Sequence, residues 1–428
     1  KGEEAFKELV KRRENLQKEL YSLISVFRKD YPMYAALNYP KPIFAEQLPL
    51  KDEEVLLEYA ITDDATYLFR INKGGVEKVI KIPKGKKEIE ALVNEFMLPL
   101  QNPETKDKFS VASANKLYNL LLDEALKDVQ SDKNIIIVPD GILGLLPFEA
   151  LVIKEGKDYR DSLYTGDRWK ITYTQSATVL SLNRLLKPSN APNPLFAIGN
   201  PIYHKEDPRY IAYKQGKTQE TLIAKNPVQY AYRGITIIPK ADKTEGGKIK
   251  WEEVEFAPLL ETEKEVKSIA KLFNIEAKPP HVLLNINANE TNFRKTNLKD
   301  YRYIHFATHA DLPGKVQGIK EPFIILGQVE NETKDDGFLT MSEVLDLKLD
   351  ADLVVLSACV TGKGKIMEGE GVSNFARAFH HAGARSVLVS LWEVASNETV
   401  EYMESFYRHI KQGKTKSEAL TLARKEIK

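Results

Sequence analysis

Two side chains that can act together in covalent catalysis follow two separate apolar runs of the chain. Residues 353–356 are apolar and lead through Ser357 and Ala358 to Cys359, while an earlier apolar run leads to His309. A cysteine thiolate is a strong nucleophile, and an imidazole within hydrogen-bond reach can accept its proton. These two residues therefore predict a nucleophile and its general base.

The cysteine alone would be a weak signal, because a buried thiol is more often a small apolar core residue than a nucleophile. Here each residue ends an apolar run, and the positions of His309 and Cys359 differ by 50. An interval of about 50 residues is also typical of the histidine and cysteine of caspases. The caspase signature around the cysteine is absent, because Cys359 is followed by Val360 and Thr361.

The segments around this pair predict an α/β fold. Residues 53–83 alternate between apolar and polar types and predict a small antiparallel meander. Short apolar runs then alternate with helical patterns, and these runs lie at 135–138, 171–174, 195–199, 282–286, 303–307, 323–326, 353–357 and 386–391. This alternation predicts a mostly parallel sheet with helices on both faces. Catalytic groups gather at the carboxyl ends of such strands, where His309 and Cys359 would stand.

We predict four segments along the chain. Residues 1–50 form an N-terminal helical segment, and residues 51–130 form the meander and its helices. Residues 131–256 form a first α/β half with a long insertion at 201–256, and residues 257–428 form a second half that carries the histidine and the cysteine. The insertion has little periodicity, which is typical of a surface excursion and also compatible with a lid or a partner-docking segment near the site.

The N-terminal segment has the periodicity of an amphipathic helix over residues 3–28. Its apolar stripe consists of Phe6, Leu9, Val10, Leu16, Leu20, Leu23, Ile24 and Phe27. We expect either an ordinary docking helix or the last helix of an upstream repeat array. Because the first residue is lysine rather than methionine, we also expect the sequence to be part of a longer protein.

The composition excludes several classes of protein. The chain has 428 residues, and 62 basic residues against 61 acidic ones leave a formal charge of +1, so no overall field favours nucleic acid or an anionic membrane. No apolar run is long enough to span a membrane. A single cysteine cannot form an internal disulfide, and no metal-binding spacing is present, so we expect a cytoplasmic protein without a metal or cofactor.

Several longer stretches resemble the CHAT family, which comprises caspase- and separase-related cysteine peptidases that are often fused to tetratricopeptide repeats. These stretches are HFATHA at 305–310, LVVLSACVTGKG at 353–364, EGEGVSNFARAFHHAGARSVLVSLWEV at 368–394 and FYRHIKQGKTKSEALTLA at 406–423, with IIIVPDGILGLLPFEAL at 135–151 similar to the front of such a domain. The resemblance extends over about residues 50–428. It implies a caspase-like α/β fold in which residues 131–256 are a degenerate, non-catalytic half beside an active one.

The resemblance also implies roles for single residues. Cys359 would be the nucleophile and His309 the general base, and the backbone N–H groups of Ala310 and Cys359 would hold the oxyanion. Two positions depart from the family pattern, because Ala310 replaces the usual glycine and Val360 replaces a common glutamate. Neither change removes the dyad.

The substrate pocket matches the family less well. Relatives that cleave after basic residues carry acidic residues where this chain has Ser357 and Ser396. We therefore name as pocket candidates Asp311, Glu370, Trp392, Ser396 and Glu398. A preference for a basic substrate residue is compatible with these acidic side chains but is not implied by them.

The resemblance predicts a cysteine endopeptidase that cleaves a protein substrate. Family members serve in bacterial defence, including CRISPR-associated systems, so an activating protein or ribonucleoprotein partner is expected, without direct nucleic-acid or membrane binding by this chain. The competing hypothesis is a catalytically silent caspase-like scaffold that acts by protein–protein interaction. A nucleotide-binding domain is disfavoured because no glycine fingerprint follows a strand.

Overall fold

The structure analysed is a computed structural model. It describes residues 2–30, 42–101, 109–131, 133–216, 256–311, 316, 318–359, 371–391 and 396–427. The predicted N-terminal helix is confirmed as α1 (Gly2–Asp30). Ile24 is buried, whereas Phe6, Leu9 and Leu16 are each more than half exposed. Most of the apolar stripe of α1 therefore does not pack on the part of the chain that is described.

The predicted meander forms three antiparallel strands that continue into a parallel pair. The strand order is β3-β2-β1-β4-β7, in which β1 pairs antiparallel with β2 and parallel with β4. The strands of this region are β1 (Glu54–Ile61), β2 (Thr66–Asn72), β3 (Gly75–Ile82), β4 (Asn134–Val138), β5 (Val152–Lys154), β6 (Leu163–Tyr164) and β7 (Lys170–Tyr173). Strands β5 and β6 form a separate antiparallel pair.

Helices cover this first sheet and complete its core. They are α2 (Lys86–Gln101), α3 (Val111–Leu121), α4 (Asp123–Leu126), α5 (Thr165–Arg168) and α6 (Ala177–Leu185). Helix α3 begins where the hydroxyl of Ser110 accepts a hydrogen bond from the backbone N–H of Ser113, which satisfies one of the unpaired donors of the first turn. Leu57, Phe96 and Phe148 are fully buried between the sheet and these helices.

A second sheet contains five parallel strands among the described residues, in the order β15-β14-β10-β8-β9. Its strands are β8 (Asn193–Pro201), β9 (Val282–Asn285), β10 (Tyr301–Ala307), β14 (Leu353–Cys359) and β15 (Val387–Ser390). A small antiparallel sheet lies beside it and consists of β11 (His309–Asp311), β12 (Phe323–Ile325) and β13 (Phe338–Thr340). The predicted mostly parallel α/β fold is therefore confirmed.

The second sheet is buried on both faces. Its helices are α7 (Pro208–Lys214), α8 (Leu260–Leu272), α9 (Glu290–Lys295), α10 (Met341–Leu345), α11 (Gly371–Ala382), α12 (Ser396–Lys411) and α13 (Lys416–Ile427). Val354 packs with α11 in one apolar cluster, while its neighbour Val355 packs with α8 and α12 in another. Because both faces of β14 are buried, its residues are apolar without the alternation of a half-exposed strand.

Both sheets cross the segment boundaries drawn from the sequence. Strand β1 pairs with β4 across residues 130/131, and β8 lies in the middle of the second sheet although it precedes residues 256/257. The boundaries therefore do not coincide with the limits of the two sheets, and the division into domains stays a prediction. Within the insertion predicted at 201–256, residues 208–214 form α7, and residues 217–255 lie outside the described residues.

Candidate active site

The histidine and the cysteine stand at the same edge of the second sheet. Strands β10 and β14 are parallel neighbours, with Phe306 paired to Leu356. Cys359 is the last residue of β14. His309 was predicted to end the strand that is now β10, but β10 ends at Ala307 and His309 begins β11 after the break at Thr308. This break turns the chain from the parallel sheet into the small antiparallel one.

The end of β14 is irregular where it carries the cysteine. Leu356 pairs with Val389 of β15, but Cys359 pairs with the next residue, Ser390, so the register shifts between these two pairs. Such a bulge bends a strand and changes the direction of its side chains, and bulges are common next to active sites. The structure describes Cys359 through its backbone, which places this residue at the carboxyl edge of the sheet.

The imidazole of His309 is held in a fixed orientation. Its Nε2 atom lies 2.8 Å from the carbonyl oxygen of Ala257, and the ring is fully buried. Because a carbonyl oxygen can only accept, Nε2 carries the hydrogen, and Nδ1 is the basic nitrogen of the neutral ring. The ring centroids of Tyr203 and Phe256 lie 5.3 and 6.3 Å from that of His309. Aromatic packing and one backbone carbonyl therefore orient this side chain.

The backbone of Ala310 faces away from strand β12. Two backbone hydrogen bonds flank the pairing of β12 with β13: the N–H of Leu326 donates to the carbonyl of Gly337, and the N–H of Met341 donates to the carbonyl of Pro322. Ile324 lies midway between them on β12. Ile324 thus directs its backbone groups to β13, and its neighbours Phe323 and Ile325 direct theirs to β11. Since Ile325 pairs with His309, the N–H of Ala310 points to the opposite side of β11. The N–H of Ala310 is therefore not used in the pairing of β11 with β12.

Tyr203 is a second unusual residue beside His309. Its side chain is 4% exposed, and its hydroxyl hydrogen finds no acceptor in any residue that the structure describes. Burial raises the pKa of Tyr203, and a backbone hydrogen bond from His309 and the charge of Arg209 oppose the rise. An unsatisfied buried hydroxyl costs about 1–3 kcal/mol of folding free energy. The aromatic ring is explained by its packing on His309, but the hydroxyl is not.

Tyr203→Phe should therefore increase the free energy of unfolding by about 1 kcal/mol, because it removes the unsatisfied hydroxyl and keeps the ring. Urea denaturation of the two proteins measures the change. Tyr59→Phe is the matched control, since the hydroxyl of Tyr59 is also buried but donates to the carbonyl of Leu121 at 2.9 Å. That variant should lose about 1 kcal/mol. Equal destabilisation by both substitutions would show that the Tyr203 hydroxyl is satisfied in the folded protein.

A second buried histidine binds the helices to the central strand. His305 on β10 has its Nε2 atom 2.9 Å from Glu265 of α8 and its Nδ1 atom 3.2 Å from the hydroxyl of Tyr407 on α12. All three side chains are fully buried. Glu265 and Tyr407 were not singled out from the sequence. A signal for Glu265 was available, because this acidic residue stands on the buried face of α8 beside Val266 and Ile269.

The pocket candidates are only partly described. Glu398 is exposed in the first turn of α12, and with Ser390 and Thr399 it lines a cavity of about 500 Å³ between β15, α12, α13 and the first sheet. Asp311 and Ser396 are described through their backbones at the starts or ends of elements. Glu370 and Trp392 lie outside the described residues. Glu398 is therefore the pocket candidate whose side chain the structure describes, and it lines the cavity beside β15.

The described residues also bear on metal binding and on membrane crossing. In this part of the chain, no three histidine, cysteine, aspartate or glutamate side chains converge as metal ligands would. Nor does any helix among the described residues have the length and apolar character that crossing a membrane requires.

Comparison with protein families decides the classification. The model of the CHAT domain matches residues 111–428, which is well over half of the chain. The chain belongs to the CHAT domain family. The match begins at α3 and includes both His309 and Cys359. Its caspase-like fold agrees with the parallel sheet that carries these two residues.

The CHAT domain protein also has similarity to curated sequences over a shorter stretch. Human Tetratricopeptide repeat protein 28 is 39% identical over 89 residues, and the mouse protein of the same name is 36% identical over 89 residues. Each match covers 21% of this chain and 4% of the relative. The chain thus spans only a small fraction of the length of these relatives.

Proposed function

We propose that this CHAT domain protein is a cysteine endopeptidase that cleaves a protein substrate with Cys359 as nucleophile and His309 as general base. The observation that carries the proposal is the bond between Nε2 of His309 and the carbonyl of Ala257 at 2.8 Å. This bond fixes the tautomer in which Nδ1 can accept a proton. His309 also lies at the same carboxyl edge of the second sheet as Cys359.

The proposed reaction needs two half-reactions. His309 Nδ1 takes the proton of the Cys359 thiol, and the thiolate sulfur attacks the carbonyl carbon of the scissile peptide bond. The tetrahedral intermediate collapses, the carbon–nitrogen bond breaks, and the amine leaves with the proton from His309. A water molecule then gives a proton to His309 and attacks the thioester, which releases the acid and regenerates the thiol.

Backbone donors would stabilise the charge that develops on the substrate carbonyl oxygen. The direction of the Ala310 N–H, away from β12, supports its role as one oxyanion donor, and the N–H of Cys359 would be the second. Alanine at position 310 retains the N–H that a glycine would supply. No acidic residue is required to orient His309, because the Ala257 carbonyl does so and a thiol gives up its proton far more readily than a serine hydroxyl.

Substrate choice and regulation belong to the same proposal. Glu398 at the cavity beside β15 would favour a basic substrate side chain. The same proposal includes activation by a protein or ribonucleoprotein partner, as in CRISPR-associated defence. Its support is that Phe256, the last residue of the 201–256 insertion, and the following Ala257 both contact His309. Fusion to tetratricopeptide repeats is supported by the similarity to Tetratricopeptide repeat protein 28 and by the exposed apolar side chains of α1.

The test is a map of new protein N-termini in a bacterial lysate exposed to the protein. The wild type should create a defined set of N-termini, and Cys359→Ala should create none of them. If the chain needs a partner, the same set should appear only after the activating partner is added. An identical set from Cys359→Ala would assign the cleavage to another protease, and a cellular effect that survives this substitution would favour the interaction scaffold.

A further inference from the structure

We propose that His204 is a positioning residue for the general base, and that it acts on His309 through the backbone of residues 256–257. This inference rests on the proposed peptidase function. His204 follows strand β8 and belongs to neither apolar run from which the dyad was predicted. Its effect would be to keep the carbonyl of Ala257 in place.

Two successive carbonyl groups are held by two histidines. The Nε2 atom of His204 lies 2.9 Å from the oxygen of Phe256, and Nε2 of His309 lies 2.8 Å from the oxygen of Ala257. Both oxygens can only accept, so each ring donates its N–H. The Phe256 carbonyl therefore accepts a hydrogen bond from His204. The next carbonyl, that of Ala257, accepts one from the general base His309.

His204 is attached to a rigid part of the fold. Ile202 is fully buried, and its carbonyl accepts from the backbone N–H of Gln328 at 2.9 Å. Three residues beyond His204, the carboxylate of Asp207 binds the guanidinium of Arg209, whose side chain is also buried and contacts Asn200. The residues that flank His204 are thus held in place, and His204 can hold the Phe256 carbonyl.

The other end of the segment is fixed at helix α8. The hydroxyl of Thr262 donates to the carbonyl of Leu259 at 2.6 Å and accepts from the backbone N–H of Asn200 at 2.8 Å. Residues 256–259 are therefore anchored downstream by α8. At Phe256 the segment is held by the bond from His204 to its carbonyl and by the packing of its buried ring against Phe338.

Loss of the His204 donor would leave the Phe256 carbonyl without this bond, although the Phe256 ring stays packed against Tyr203 and Phe338. The Phe256 carbonyl could then turn, and the following Ala257 carbonyl would hold the hydrogen on Nε2 of His309 less firmly. A ring that can change its tautomer or turn away presents Nδ1 to the thiol for less of the time. The thiolate fraction of Cys359 near neutral pH would fall accordingly.

The experiment measures alkylation of the folded protein by iodoacetamide from pH 5.5 to 9. Cys359 is the single cysteine, so every cysteine adduct reports on it, and no substrate is required. An isolated thiol of pKa about 8.5 is only about 1% ionised at pH 6.5, so a thiolate–imidazolium pair should react far faster there. His204→Phe keeps a ring without the donor, whereas His204→Gln keeps an amide N–H at similar reach.

We expect His204→Phe to slow alkylation at pH 6.5 by about tenfold and to leave the rate at pH 9 nearly unchanged, because the thiol is then ionised in any case. His204→Gln should restore the rate to within about threefold. His380→Phe is the matched control, because His380 also bonds a backbone carbonyl, that of Ala384 at 2.8 Å, at the far end of α11. This control should keep the wild-type profile.

The outcomes separate the two proposals. A wild-type profile that follows a simple thiol with a pKa of about 8.5 would reject the His309–Cys359 dyad itself. A wild type that reacts rapidly at pH 6.5, together with a His204→Phe variant that does the same, would reject only the role of His204. Equal slowing by His204→Phe and His204→Gln would reject it as well, because the donor would not be the property that matters.

Discussion

Replacing Cys359 with serine is expected to reduce kcat/KM by on the order of 10⁴-fold or more, the scale seen when the nucleophile of a protease is removed. A hydroxyl is far less acidic than a thiol, and its activation usually needs a base that is itself oriented by a carboxylate. His309 is oriented by the Ala257 carbonyl instead. A base oriented in this way is sufficient to deprotonate a thiol but not to activate a serine hydroxyl efficiently.

The rate should be measured on a peptide that spans a cleavage site found in the lysate. Urea denaturation of Cys359→Ser should give the wild-type midpoint, since the substitution changes one atom at a strand end. Cleavage at more than about 10% of the wild-type rate would mean that Cys359 is not the nucleophile.

Replacing His309 with alanine is expected to lower kcat/KM by about 10²- to 10⁴-fold at pH 7, the usual contribution of a general base. The defect should shrink as the pH rises above about 8.5, because the thiol then ionises without a base. The leaving amine would still lack its proton donor, so the variant should not recover fully. A pH profile of kcat/KM for both proteins checks this expectation.

His281→Ala is the control for the loss of an imidazole elsewhere in the sheet. His281 precedes β9 at the opposite end of the strands, and its Nδ1 atom lies 3.1 Å from the hydroxyl of Tyr301. It should retain the wild-type profile. If His309→Ala also retains that profile, then the base is another residue, and the orientation of His309 has no catalytic meaning.

The sequence predicted the parallel sheet and the edge at which the pair lies, because buried parallel strands leave a local signature of short apolar runs. It did not predict the strand order. Strand β8 joins β10 from a distant part of the chain, and such pairing depends on tertiary packing that no local pattern encodes. Helix α13 was also missed, since the buried residues of its face include Ala419 and Ala423, whose small side chains give weak periodicity.

The proposed dyad could be named from the sequence because cysteine and histidine have distinctive chemistry, whereas the groups that surround His309 could not. The Ala257 carbonyl that orients His309 is a backbone group, so its residue type carries no information. The break at Thr308, which moves His309 from β10 to β11, is too short to register as a turn. The antiparallel pairing of β11 with β12 then sets the direction of the Ala310 N–H, and that direction is a property of register.

The most direct test of the proposed dyad is covalent trapping with a peptidyl electrophile, followed by intact-mass measurement and peptide mapping. The wild type, with its activating partner if one is needed, should gain one adduct, located on Cys359. His309→Ala should be labelled at least about 100-fold more slowly at pH 7, and His281→Ala at the wild-type rate. Failure of the wild type to be labelled, or equal labelling of His309→Ala, would contradict the assignment of these two residues as nucleophile and base.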